Sequence, residues 1–305
     1  MHQWAVSTSL TFPLSADPSS RELNTTVLPT LALQNPALLY AIFFLSALHL
    51  LKTTTYNAEN DEAYGNYIAL TIRHHRIDVN NLNGANADVV CVTSSLLRLG
   101  YFAMLQERPL LPYSPPSQWM HMNAALGTVH RETWAWIQNN PTSIARRALV
   151  QKTPNLRDFD ALFEHSNRDP LLHLLTDPPG VAPEEWSPEI EAAYDRTLAF
   201  VGGMQANLDN GTDGPNETLR RCLAFPAMCP KEFFNMVEEG RPRATVIMAH
   251  YFAYLARFKD TWWIGDSGRR EVNAIAAVLP LEWQDMMSWP LQELDRVYSA
   301  GWNLE

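Results

Sequence analysis

The sequence predicts an all-α fold, a single large helical domain with an internal hydrophobic pocket. Three observations carry that expectation. Apolar residues recur at helical spacing over helical lengths, and few segments alternate as strands do. Hydrophobic residues make up 46% of the 305 positions and charged residues 18%, whereas an ordinary domain is about a quarter charged. A chain this long buries a sizeable core, so the surplus apolar surface lines a cavity or packs into a dense interior.

The elements follow in order. Asn35-Pro36 opens the first clear helix, a cap residue ahead of a proline whose missing N–H costs nothing at the first helical position. It runs through Leu51 and is apolar nearly all round, which marks a central helix. A second helix is expected over 60–76, with acidic residues in its first turn to match the macrodipole. A third covers 86–105, with Val89, Val92, Leu96, Leu99 and Met104 near one face. Prolines at 109–116 break the chain. A fourth helix spans 117–138 and contributes Trp119, Leu126, Val129, Trp134 and Ile137. Residues 152–187 are polar and proline-rich, an irregular excursion or lid within the domain. Helical spacing resumes over 184–208, and 211–217 reads as a loop. A short helix from Pro230 stops at Gly240, and a long one spans 242–258. Three shorter ones follow at 268–279, 281–288 and 291–299.

Composition also sets aside several function classes. Lys and Arg total 23 against 33 Asp and Glu, a formal charge of -10, whereas a nucleic-acid binder carries a basic face that displaces counterions. The pairs Arg146-Arg147, Arg220-Arg221 and Arg269-Arg270 read as solvated helix faces. No direct nucleic-acid binding by this chain is expected. Cys91, Cys222 and Cys229 are too few and too scattered for a disulfide framework or a thiolate zinc cluster, and Cys91 reads as a small core residue. The most apolar stretch, Ala37 to Leu51, has fifteen residues, short of the roughly 20 that a membrane span needs. No membrane span is expected, and the compartment reads as cytoplasmic.

No cofactor motif is present: no phosphate loop, no zinc-protease helix, no nucleophile elbow. No metal and no cofactor are therefore expected. His74 and His75 point about 100° apart on a helix and read as surface residues unable to chelate one metal. His49 lies in the apolar first helix, and His250 with Tyr251 in the long late one. Each is either a satisfied core group or a polar tip orienting a ligand in an apolar wall. Glu132, beside His130 and Trp134, is either solvated or buried against tryptophan as a general acid. Candidate catalytic groups are thus His250, Tyr251, His49 and Glu132. Tyr101, Met104, Trp134, Met248, Tyr254, Trp262 and Trp263 are candidate ligand-binding residues, with aromatic core packing as the alternative.

Four segments resemble a known family: MHQWAVSTSLTF at 1–12, NPALLYAIFFLSALHL at 35–50, VVCVTSSLLRLGYFAM with PPSQWMHMNAALG, and the 225–270 run in which FPAMCPKEFF, MAHYFAYLARF and WWIGDSGRR follow one another. They look like the C-terminal regulatory domain of fungal zinc-cluster transcription factors of the sterol-uptake-control branch, over residues 1–305. The resemblance implies an all-α fold with a deep apolar pocket, ligand-controlled movement between cytosol and nucleus, and pairing into a homodimer through helices. The family's six-cysteine DNA-binding module is not in this sequence. One expectation is therefore a stand-alone protein that uses the pocket for a cofactor-free cyclisation, isomerisation or Diels–Alder-type step on a terpenoid- or polyketide-like molecule, holding a reactive conformer and polarising a carbonyl. The alternative is a sterol- or lipid-sensing regulatory domain whose DNA-binding module lies elsewhere, with a nucleocytoplasmic location.

Overall fold

The computed structural model describes residues 1–12, 18–55, 58–149, 156, 158–212 and 214–299, and they contain helices and no strand. The chain divides into two compact units. One comprises Met1–Met104, Met122–Pro154 and Thr261–Trp263; the other Leu105–His121, Asn155–Asp260 and Ile264–Glu305.

In the first unit, α1 (Pro36–Thr53) packs along α2 (Ala58–Asn80). Tyr40 and Phe43 meet Tyr67, while Phe44 meets Tyr64, so the two helices run antiparallel. Asn35 occupies the cap position of α1, but its amide donates to Leu31 O rather than capping the helix. Helix α1 has 18 residues, three more than its apolar run, and α2 gains a further turn beyond the expected Arg76.

Both α1 and α3 (Ala87–Leu105) have the length and hydropathy of a membrane span. More than half of each is nonetheless buried inside the protein (56% and 72%), as core helices are. Gly100 brings α3 onto α1, because a Cβ there would lie 2.2 Å from the Phe44 ring. Before α1, Trp4 is fully buried and its indole donates to Asn24 O at 2.7 Å. That anchor belongs to short helical turns at His2–Val6, Thr8–Thr11, Pro18–Glu22, Leu23–Val27 and Leu28–Ala32 that the sequence did not announce. Of α4 (Ser117–Ile137), Leu126 and Ile137 are buried in this unit. Asp88 then starts the next helix, accepting from the amides of Ile144 (3.1 Å) and Ala145 (3.2 Å).

The second unit is built round α8 (Pro242–Ala256), where every residue from Arg243 to Ala256 is buried. The sequence expected a helix to Phe258; instead its last turn unwinds after Ala256. Helix α9 (Ser267–Val278) crosses it at Gly268, whose added Cβ would sit 2.5 Å from Phe252 O and Ala256 N. Helix α10 (Ser288–Ser299) packs on the same core. Helix α5 (Pro188–Asp209) starts at Ser187, whose hydroxyl accepts from Ile190 N at 3.3 Å.

Two further helices are α6 (Pro215–Met228) and α7 (Lys231–Glu238), the latter ended by Gly240 at φ +72°. The sequence reading placed a loop at 211–217 and missed α6. The Gly214-Pro215 step with Glu217 is a helix start, and it was disguised by the polar residues around it. The structure also corrects the Arg220-Arg221 pair, since both side chains are more than nine-tenths buried rather than solvated.

Within the expected excursion at 152–187, residues 152–155 and 157 lie outside the described residues. The remainder carries a helical turn at Phe159–Leu162, capped by Asp158, and an eleven-residue 3₁₀ stretch at His165–Leu175. Leu171 and Leu174 are buried, and Gly202 of α5 passes against the Asn167 carbonyl. Arg243 anchors the segment further: fully buried, it donates from Nε to Glu184 at 2.9 Å and from its other nitrogens to Leu174 O and Asp177. Tyr194 OH also donates to Glu184, at 2.8 Å. A buried guanidinium paired on three sides in this way avoids the cost of an unpaired buried charge.

Candidate functional site

The expected polar tips are at helix positions that local packing dictates. In the first unit, His49 is buried in α1, and its Nδ1 lies 2.9 Å from Thr8 Oγ1. The Trp262 ring covers the imidazole at 4.7 Å between centroids, and the indole donates to Thr11 Oγ1 at 2.8 Å. Thr11 donates in turn to Thr8 O at 2.7 Å. Burial lowers the His49 pKa, which keeps the ring neutral and able to act as donor on one nitrogen and acceptor on the other. His49 and Trp262 are therefore neighbours, and the threonines beside them went unremarked in the sequence. Trp263 is fully buried edge-on to Phe102, with centroids 6.2 Å apart. Tyr101 is buried, and its phenol pKa is pushed up to about 12 by desolvation.

Met104 and Trp134 are half-buried. Glu132 is exposed, so the burial against tryptophan that would make it a general acid is absent. His75 departs from the surface reading: it is buried, with Nε2 2.9 Å from Ser94 Oγ, and desolvation lowers its pKa to about 4.

In the second unit, His250 and Tyr254 converge on one ring. The His250 imidazole stacks on Trp289 at 5.1 Å with an 8° interplanar angle, and Tyr254 lies 4.9 Å from the same indole. His250 Nε2 is 3.4 Å from Met286 O, while its buried Nδ1 has no hydrogen-bond partner among the described residues. Burial, with the exposed His173 ring 6.3 Å away, lowers the His250 pKa to about 3, so the imidazole is neutral. Trp289 was not singled out from the sequence; its place in a Trp-Pro step within a short late helix gave no period to read.

Tyr251 turns elsewhere. Its ring stacks on Phe225 at 4.0 Å, and its hydroxyl donates to Cys222 O at 3.0 Å. In α6 that carbonyl would ordinarily accept from residue 226, which is proline and has no N–H. The Tyr251 hydroxyl thus replaces a missing helix bond, which corrects its reading as a free catalytic donor. Met248 is buried beside it in α8.

A groove of about 430 Å³ in the second unit lies between residues 273–278 of α9 and the Leu110-Leu111 segment, with Arg269 and Arg270 also lining it. None of the residues predicted to bind or act lines it. Among the described residues no three His, Cys, Asp or Glu side chains are gathered as a metal site. Cys91 and Cys222 are buried separately.

No protein-family model matches the chain. A Zn(2)-C6 fungal-type transcription factor of Aspergillus fumigatus, afumD, is 26% identical over 252 residues, covering 83% of this chain and 65% of its own length. A Zn(2)-C6 fungal-type transcription factor of Gibberella zeae is 24% identical over 320 aligned residues, covering 96% of this chain and 60% of its own. The chain is similar to these two fungal zinc-cluster transcription factors over most of its length. It spans less than two thirds of the length of either relative. The sterol-uptake branch is a finer distinction than this relationship makes.

Proposed function

We propose that residues 1–305 work as a ligand-responsive regulatory domain of the fungal zinc-cluster kind, holding a hydrophobic sterol- or terpenoid-like molecule among their helices. The relationship to two transcription factors over 83% and 96% of the chain is the observation that carries this reading. It favours the regulatory alternative over a cofactor-free cyclase. Two candidate catalytic groups also lend the enzymatic reading little support: the Tyr251 hydroxyl is engaged by a carbonyl, and Glu132 is exposed. His49 with Trp262, and His250 with Trp289 and Tyr254, are each a neutral polar tip against an aromatic wall, the kind of lining that orients a hydroxyl or carbonyl. In this reading the protein acts between cytosol and nucleus, and a dimer is the working form.

The test is a reporter assay. The chain is fused to a heterologous DNA-binding module and activation domain in a yeast host, and reporter output is followed as sterol supply is depleted and organic extracts of filamentous fungi are added. A severalfold, extract-dependent change is expected. Output that stays constant across all extracts, from a fusion shown to be expressed, would overturn the regulatory reading.

A further inference from the structure

The first unit contains a cation that meets no carboxylate among the described residues. Arg98 lies on α3, half-buried, with its Nε shielded from solvent and without a hydrogen-bond partner among the described residues. Among the described residues its polar neighbours are the buried Cys91 thiol and His130, whose Nδ1 is 3.4 Å from Arg98 Nη2. That contact is not a bond. His130 Nδ1 also lies 2.7 Å from Leu126 O, and a carbonyl only accepts, so Nδ1 carries the proton. Two donors therefore face each other. His130 Nε2 is left as an acceptor 2.9 Å from Ser95 Oγ, whose single proton is shared between that nitrogen and Cys91 O at 3.0 Å, and desolvation, with Arg98 close by, keeps the ring neutral.

The surrounding charges point the same way. Those acting on His130 come from Arg98, His75 and Arg131, with no carboxylate among them. Asp88, the acid on the same helix, is committed to Ser143 and to the amides of Ile144 and Ala145. Two other shielded arginines meet acids, Arg243 with Glu184 and Asp177 and Arg257 with Glu293 at 2.6 Å, whereas Arg146 Nε and Arg220 Nη2, like Arg98 Nε, have no hydrogen-bond partner among the described residues. Arg98 meets no acid among the described residues of a chain of net charge -10, and an acceptor from outside would pair that cation.

We propose that Arg98, flanked by His130 and Ser95, receives the carboxylate of an acidic apolar ligand. A planar guanidinium fork matches a carboxylate through two parallel bonds. The assignment rests on the reading of the chain as a receptor for a hydrophobic molecule and narrows that molecule to an acid.

The experiment uses the full chain, with binding followed by calorimetry and thermal shift. The probes are saturated fatty acids from octanoate to stearate, the primary alcohols of matching length, and inorganic phosphate. Wild type is expected to bind its best acid about tenfold or more tightly than the matching alcohol, the scale of a charge-assisted pair. Arg98→Met removes that preference while leaving alcohol binding in place, and Arg98→Lys keeps part of it. Equal binding of acid and alcohol overturns the Arg98 site and leaves the hydrophobic-receptor reading standing, whereas binding of no probe removes support from both. Stabilisation by inorganic phosphate with the acids inert overturns the carboxylate assignment. Should Arg98→Met fail to fold, the acid–alcohol comparison in wild type and the Arg98→Lys protein decide.

Discussion

Tyr251 shows how a side chain that reads as chemistry can serve the backbone. Pro226 removes one donor from α6, and the Tyr251 hydroxyl supplies its replacement to Cys222 O. Leaving that buried carbonyl unpaired costs about 1–3 kcal/mol, so Tyr251→Phe is expected to lower the urea midpoint by that equivalent. Pro226→Ala restores an N–H at the same place and should recover part of the loss when combined with Tyr251→Phe. Additive losses in this double-mutant cycle would show that the two residues do not share the carbonyl. The proline was visible in the sequence, and counting four residues back from it names Cys222. What the sequence did not contain was the partner, because Tyr251 comes from another helix 29 residues on. The same limit applies to Arg243, which sits in plain view in the RPRAT segment while its partners Glu184 and Asp177 lie about 60 positions earlier.

Among elements, those with an unbroken apolar period or a clean cap were legible: α1, α3, α4, α7 and α8 begin within a residue or two of their expected starts. Helix α6 was lost because its interior holds Arg220, Arg221 and Pro226, which dilute the period although all three are buried. Close crossings were equally hidden, since a glycine in a helix reads as a weakness until its neighbour is known. Gly268 and Gly100 mark two such crossings and differ in what they meet. At Gly268 an added methyl meets the backbone of α8 at 2.5 Å, while at Gly100 it meets the side chain of Phe44. A ring can turn aside and a helix backbone cannot. Gly268→Ala should therefore cost more than Gly100→Ala, about 3 kcal/mol against 1–2 kcal/mol by the usual scale of overpacking. Thermal melts of the two variants check the order, and an equal or reversed loss would mean that α9 slides freely on α8.

At the scale of the whole molecule, both units bury neutral histidines, and this sets the response to acid. Desolvation lowers His75 to about 4 and His130 to about 3 in the first unit, and His250 to about 3 in the second. In the unfolded chain these rings titrate near 6.5. Below that pH the unfolded state binds protons that the folded state refuses, so stability is complete above about 6.5 and falls as the pH drops towards about 4. Each such histidine removes about 2 kcal/mol between pH 7 and pH 5. Asp78 and Glu271, whose carboxyls burial pushes upward, act in the opposite direction and offset part of this. The three imidazoles outnumber them and begin to titrate first, in the range where the carboxylates of the unfolded chain are still ionised. Urea unfolding at pH 7 and at pH 5 should therefore show a clear fall in midpoint, seen in both transitions if the two units unfold separately. Imidazole C2–H resonances of His75, His130 and His250 that stay unshifted to pH 5 identify the cause. Titration of these rings near 6.5 in the folded protein would mean that water reaches them, and the acid sensitivity would then have to come from other groups.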